Sequence, residues 1–383
     1  MHTDISLILT LSLLIWGAPF VSKLLRIPTP PVEIILGAIV ASIGFIGHHQ
    51  YFDIIAEVGF LYLMFLAGME VDLKQITQSS KAIIQKSMLF LGLMAFLSVS
   101  SAILFHLNTI TIISMPLISI GILASLSKTY GKEQAWIKLA FITGILGEVI
   151  SITILTIFDA ASTTGVNMIL AMKVGYLAGF ITVVYLLYKL LRLLFWWLPE
   201  LKNTLIPKLD TSDQDIRLAM ALFFILIAVM LYLKLELALG AFIAGIAISA
   251  FFHHEKQLEA KISSLGFGFL VPLFFIHVGA SFDLNSLTEE GVVSGALLVT
   301  FLMIVTRVVA AVVLKQISGA RDALLIALSL SMPLTLLVAV ATIGYETKLL
   351  TILSYHQLIL ASIFEILFSM LLIKWVSRQK ENL

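Results

Sequence analysis

The sequence predicts an all-α protein that crosses a membrane about thirteen times, and three observations carry that reading. The chain has 383 residues, of which 60% are hydrophobic and only 12% charged, and its mean hydropathy is +1.07. Apolar runs of bilayer-spanning length recur from one end to the other; a helix needs roughly 20 such residues to cross about 30 Å of hydrocarbon. The runs are continuous rather than alternating, which excludes a transmembrane β-barrel.

In chain order the spans are read at 5–24, 32–48, 54–72, 82–107, 110–130, 136–159, 166–195, 215–234, 237–253, 258–280, 291–316, 319–345 and 355–377. The first lacks a basic leader and a small-residue cleavage site, so it reads as a retained helix rather than a signal peptide. Connections are short, and the longest, "LPELKNTLIPKLDTSDQD", falls near the middle of the chain. An odd number of spans puts the termini on opposite faces. Of the 24 Lys and Arg, about 20 fall on one side, among them Lys74, Lys81, Lys128, Lys132, Lys256 and Arg321. Lys173, Lys234 and Lys348 fall on the other. The positive-inside rule therefore puts the N-terminus outside and the C-terminus in the cytoplasm.

With no cysteine there is no disulfide framework, thiol catalysis or thiolate metal site. A net charge of +1 points to no charged partner, and no basic tail suggests nucleic acid. No cofactor motif and no soluble domain at either end is expected; the whole chain, 1–383, reads as one transporter domain.

Six helices, a long linking helix at 166–195 and six more helices make two halves of opposite topology, about 5–159 and 215–377. That is the inverted-repeat plan of secondary transporters, which place their sites at mid-membrane beside broken helices. Two spans carry a proline amid small and polar residues: "ISMPLISIGILASLSKTYG" with Pro116 and "LSLSMPLTLLVAVATIGYE" with Pro333. Glu148 follows Pro116 by 32 positions, and Glu365 follows Pro333 by the same 32. Proline removes a backbone hydrogen bond, and freed backbone groups are tolerated at membrane depth only inside protein or beside a water-filled cavity. Both spans are therefore expected to be broken and to line an ion path.

Four ionisable groups lie deep within spans: Glu148, His277, Arg307 and Glu365. A charge at a helix centre costs roughly 3 kcal/mol on insertion scales, so each is expected to face the bundle interior. Glu148 stands alone in "LAFITGILGEVISITILTIF". A carboxylate sheltered from water favours its neutral form, while a nearby arginine or bound cation favours the charged one. Such a group holds a proton or a monovalent cation but not both, so Glu148 is the expected exchange site; the bland alternative is a permanent salt bridge to Arg307. Ser125, Ser127 and freed backbone carbonyls of the broken span offer further oxygens to a hard cation. Arg307 is the expected counter-charge to Glu148, because arginine keeps its proton at any working pH. His277 is either a titrating group or a hydrogen-bonded packing residue. Glu365 is either a second acid of transport or a structural partner for another polar group. His253 and His254, in "FFHHEKQ", read as interfacial.

Three segments also resemble a known family. "FLYLMFLAGMEVDLKQI" (60–76), "LALGAFIAGIAIS" (237–249) and "LVPLFFIHVGASFDL" (270–284) are similar to signature segments of the monovalent cation:proton antiporter superfamily, the sodium/hydrogen exchanger membrane domain of its bacterial cation/proton antiporter-2 branch. The resemblance covers essentially the whole chain. It implies the sodium/proton antiporter fold, with two crossed discontinuous helices in a mobile core and a scaffold that forms a homodimer. It also implies that Glu148 takes the place of the essential acid in the family's Asp-Asp or Asn-Asp pair. Gly147 stands where the first member of that pair would be, and Arg307 matches the family's basic residue in the eleventh span. The second broken helix lacks the Arg-Gly-Glu of some relatives, and no nucleotide-binding domain like that of glutathione-gated potassium-efflux relatives is expected.

The function expected is antiport of Na⁺ or K⁺ against H⁺ across a bacterial cytoplasmic membrane, with the lipid bilayer as surroundings. The rivals are a channel-like potassium efflux system and a sodium-coupled symporter of an organic anion. An intramembrane enzyme is disfavoured: the chain has no HExxH, no GxSxG and no pair of aspartates within spans.

Overall fold

The computed structural model describes residues 2–25, 27–46, 49–71, 78–131, 133–164, 168–197, 213–235, 237–252 and 256–378, and among these no strand occurs. Helix α1 (His2–Leu25) leads to α2 (Thr29–Ser42), whose first turn holds Pro30 and Pro31, where a missing N–H breaks no helical bond. After α3 (Gln50–Met69), α4 (Lys81–Leu104) opens on Ser80, whose hydroxyl accepts from the Ile83 amide at 3.3 Å. Asn108 caps α5 (Thr109–Ser114) in the same way, at 2.8 Å from the Thr111 amide. That helix stops before Pro116, and α6 (Gly121–Tyr130) resumes only after residues 115–120.

Two thirty-residue helices follow, α7 (Ala135–Thr164) and α8 (Met168–Trp197), then α9 (Gln214–Leu233), α10 (Leu237–Phe252) and α11 (Lys256–Leu265). A π-turn at Gly266–Leu270 joins α11 to α12 (Val271–Ala280). Pro272 accounts for it: the ring removes one N–H and crowds the preceding turn, and a widened turn relieves the clash. Helix α13 (Val292–Ala310) is followed by α14 (Lys315–Ser329), bent at Gly319, whose φ of 80° suits only glycine without strain. A second break, 330–333, ends at Pro333; then come α15 (Leu334–Glu346) and α16 (Ile352–Arg378). Both proline-bearing spans are thus discontinuous, as the sequence led us to expect.

Ten helices among the described residues are long and apolar enough to cross a membrane, three fewer than the thirteen expected. The expected spans at 32–48 and 237–253 coincide with the shorter apolar helices Thr29–Ser42 and Leu237–Ala250. The third, at 110–130, is the pair α5 and α6, whose halves are only about 9 and 15 Å long. The linking helix expected at 166–195 is α8.

Equivalent features recur at a constant separation of 217 residues. Pro116 pairs with Pro333 and Glu148 with Glu365; α7 begins at Ala135 and α16 at Ile352. The residue that ends each second half-helix with a positive φ, Gly131 (96°) or Lys348 (60°), keeps the same separation.

The described chain forms two compact units. One comprises Met1–Asp53, Lys74–Ile152 and Phe275–Leu383 and contains both breaks. Within it α13 packs along α16 and α4, and α15 packs on α16 and α5. The most apolar 18-residue window of the Lys315–Tyr345 stretch has 94% of its residues buried, whereas that of α1 has 17%. Leu9, Leu13, Trp16, Phe20 and Leu24 recur every three or four residues along α1 and form one exposed apolar stripe.

The other unit comprises Ile54–Leu73 and Thr153–Phe274. Tyr62, Phe65 and Phe223 form its aromatic centre, and the Tyr62 hydroxyl donates to the Ile262 carbonyl at 3.1 Å. Gly68 and Gly245 let α3 and α10 touch backbone to backbone: a Cβ on Gly68 would overlap the Phe242 carbonyl, and one on Gly245 the Phe65 carbonyl. Small residues at such crossings supply the close packing that holds helices together in lipid, where no hydrophobic force acts between them. Gly245→Ala should destabilise the protein by about 1–3 kcal/mol, because neither backbone can yield alone. Gly17→Ala, with nothing within 4 Å of the new methyl, should be neutral. Thermal unfolding in detergent checks both, and equal midpoints for the two variants would disprove the crossing.

Candidate functional site

A break in a buried helix frees amides and carbonyls that must find partners, and the partners here define the site. In the first break the Ile118 amide donates to the Ser151 hydroxyl at 2.9 Å, and the Ile120 amide to Glu148 Oε2 at 3.4 Å. Glu148 and Ser151 lie three residues apart and so share one face of α7. The Leu117 carbonyl accepts from Arg307 Nη2 at 2.6 Å. Each of these three side chains is buried to 3% exposure or less. The second break repeats the device more sparingly: on α16 the Ser369 hydroxyl, four residues after Glu365, donates to the Ser331 carbonyl at 3.3 Å.

The two breaks meet through one hydroxyl. Ser119 donates to Glu148 Oε1 at 3.2 Å and lies 3.1 Å from the Thr335 hydroxyl in the first turn of α15. Glycines allow α7 this close. A Cβ on Gly144 would lie 2.6 Å from Ile120 Cγ2 and 3.0 Å from Leu330 Cδ2. One on Gly147 would lie 2.9 Å from Ile118 Cδ1, so the position before Glu148 is filled by apolar contact rather than a second acid.

Glu148 is fully buried at the first break, with both carboxylate oxygens hydrogen-bonded. Arg307 is where the reading has to change. No ion pair joins it to Glu148; the carboxylate beside it is Glu365, with Nη1 and Oε1 3.7 Å apart and both side chains fully buried. Glu148 and Glu365 hold matching places in the chain, so spacing alone did not say which of them the arginine faces; α13 packs along α16, and that decides it. Ser127 is buried in α6, and the side chain of Ser125 lies outside the described residues, as do His253 and His254.

His277 sits in the last turn of α12, its Nε2 2.8 Å from Asp53 Oδ1 and its ring against the edge of Phe52. Its partner is therefore at the start of α3, and it takes no part in the hydrogen bonds of Glu148. Ser119, Thr335 and Ser151 were not foreseen. A signal for them existed: Ser-Met-Pro-Leu stands at 114–117 and again at 331–334, and Ser119 and Thr335 each lie just beyond a copy. The oxygens gathered here, a carboxylate and two hydroxyls, are of the kind hard cations take.

Residues 8–379 match the profile of the family described as sodium/hydrogen exchanger, transmembrane. A putative Na⁺/H⁺ antiporter, YjbQ of Bacillus subtilis, is 22% identical over 408 aligned positions, covering 100% of this chain and 64% of that protein; the chain thus spans about two thirds of that relative's length. A Na⁺/H⁺ antiporter of Enterococcus hirae is 22% identical over 94% of each chain. The solved structure of the sodium proton antiporter MjNhaP1 from Methanocaldococcus jannaschii superposes with a TM-score of 0.68 at 17% identity, covering 98% of this chain and 95% of that one, a likeness of fold.

Ser151→Ala would leave the Ile118 amide buried without an acceptor, a loss of about 1–3 kcal/mol. Ser151→Thr keeps the hydroxyl and should keep most of the stability. Unfolding midpoints of the two variants in detergent should differ accordingly; if alanine matches threonine, Ser151 does not support the break.

Proposed function

The chain belongs to the sodium/hydrogen exchanger transmembrane family, and from that premise we propose that it exchanges a monovalent cation, Na⁺ or K⁺, for H⁺ by alternating access. The observation that carries the reading is Glu148: a fully buried carboxylate held at a helix break by one amide and one hydroxyl, beside further oxygens. A protonated acid needs no cation, and a carboxylate in a dry site needs one. Each therefore excludes the other, and exchange follows from that exclusion. Ser119 and Thr335 join Ser125 and Ser127 in the proposed ligand set.

Two halves, about 5–159 and 215–377, act as repeats of inverted topology around this site, a reading supported by the separation of 217 residues that relates their breaks and acids. The N-terminus lies outside and the C-terminus in the cytoplasm of a bacterial inner membrane, from the distribution of Lys and Arg. The working unit is a homodimer in the bilayer, as the family resemblance implies.

One carboxylate at the break and an arginine that keeps its charge give one proton one way and one cation the other. Exchange is then electroneutral.

Glu148→Gln preserves shape and removes a charge, so it should insert normally yet exchange no faster than protein-free liposomes. Glu148→Asp should keep part of the activity with a changed apparent affinity, since the acid survives with a shorter reach. Wild-type rates in the glutamine variant, measured by cation-dependent collapse of a pH gradient in proteoliposomes, would remove Glu148 from the mechanism. With Na⁺ as substrate, an imposed potassium-diffusion potential should leave rate and end-point unchanged. A rate that follows the voltage would bring Glu365 in as a second proton carrier.

A further inference from the structure

Arg307 and Glu365 lie side by side without satisfying each other. The guanidinium is fully buried; Nη1 donates to the Met303 carbonyl of its own helix at 2.9 Å, and Nη2 to the Leu117 carbonyl in the first break at 2.6 Å. Its Nε has no acceptor, and neither oxygen of Glu365 accepts any hydrogen bond. Arginine and carboxylate ordinarily close into a forked pair at about 2.8 Å. At 3.7 Å these two stop about 1 Å short. The guanidinium thus has three acceptors within side-chain reach: two backbone carbonyls that it holds, Met303 and Leu117, and a carboxylate that it does not.

We infer that Arg307 is a movable cover on the Leu117 carbonyl, and that Glu365 is the positioning residue that draws the cover off when a cation binds at Glu148. Leu117 directly precedes Ile118, and Ile120, whose amide meets Glu148, is three residues on, a chain distance of at most roughly 11 Å. With the break at Pro116, its carbonyl serves no helical amide among the described residues, where its partner is the guanidinium. Uncovered, it is an oxygen of the kind that unwound helices present to Na⁺ or K⁺. A guanidinium and a cation cannot share that carbonyl, because two positive charges repel strongly in a dry site. Arrival of the cation therefore sends Arg307 to Glu365, where the carboxylate neutralises it and Nε gains its missing acceptor. Glu365 occupies the place in its half that Glu148 occupies in the first, but it receives an arginine where Glu148 receives the break.

This rests on the antiport reading, and equilibrium binding separates the two. Na⁺, and in parallel K⁺, is titrated into the purified full chain by calorimetry, and KM and kcat of exchange are measured in proteoliposomes. In Glu365→Gln the arginine has no charge to retire to, so Kd and KM for the cation should rise about tenfold while kcat at saturating cation stays within about twofold. The double variant R307Q/E365Q removes the cover as well, and its Kd should return to within about threefold of wild type. Glu365→Asp, which keeps the charge, serves if the glutamine variant does not insert, and its Kd should rise about threefold. An unchanged Kd in Glu365→Gln or, where that variant does not insert, in Glu365→Asp, with wild type binding and exchanging, overturns this inference alone. So does a double variant that binds no better than the single one, since Glu365 would then be a structural support. A wild-type chain that binds neither ion overturns both this inference and antiport.

Discussion

Backbone that unwinds inside a membrane has no water to turn to, and that constraint organises this molecule. Every peptide group freed at 115–120 must be met by protein, and an unmet one costs about 1–3 kcal/mol in mutational terms. Polar side chains are therefore placed deep in apolar helices not despite the bilayer but because of the break. Glu148 and Ser151 serve two amides, Arg307 serves a carbonyl, and Ser369 serves the second break. In the exchange proposed above, the groups that repair the backbone are also the ones that hold a cation and a proton. Structure and function thus share one cause.

The two acids hold corresponding places in the chain but not corresponding surroundings. Glu148 and Glu365 stand 217 residues apart in matching helices, yet their surroundings differ. Glu148 accepts from a backbone amide and a hydroxyl, whereas Glu365 accepts from nothing and faces a guanidinium at 3.7 Å. A hydrogen-bonded carboxylate can release one partner and take another without leaving its place. An unbonded one beside a charge is a half-finished ion pair, and completing it requires a neighbour to move. Tension of that sort is expected in a transporter, which has to occupy more than one state.

Packing supplies the rest. In lipid, apolar surface on a helix gains nothing by association, so close approach has to come from small residues. Gly144 and Gly147 bring α7 onto the first break, and Gly68 with Gly245 do the same for α3 and α10 in the other unit. The apolar residues that remain exposed include the Leu9 to Leu24 stripe of α1.

By itself the sequence determined the all-helical membrane class, the two breaks and the place of Glu148. Each of these follows from local chemistry: unbroken apolar runs can only be spanning helices, a proline amid small residues stops a helix, and a lone acid in such a run needs a reason to be there. The count of thirteen spans was less secure, because a broken span of two short halves and two short helices do not pass as full crossings. Which acid Arg307 faces, and the parts played by Ser119, Thr335 and Ser151, were decided only by tertiary structure. The sequence places Glu148 and Glu365 alike and says nothing of which helix α13 lies along. Serines and threonines carry no cost in an apolar span that would mark them out, since each can bond its own helix. Their role appears only when two breaks distant in the chain are brought within one hydroxyl's reach.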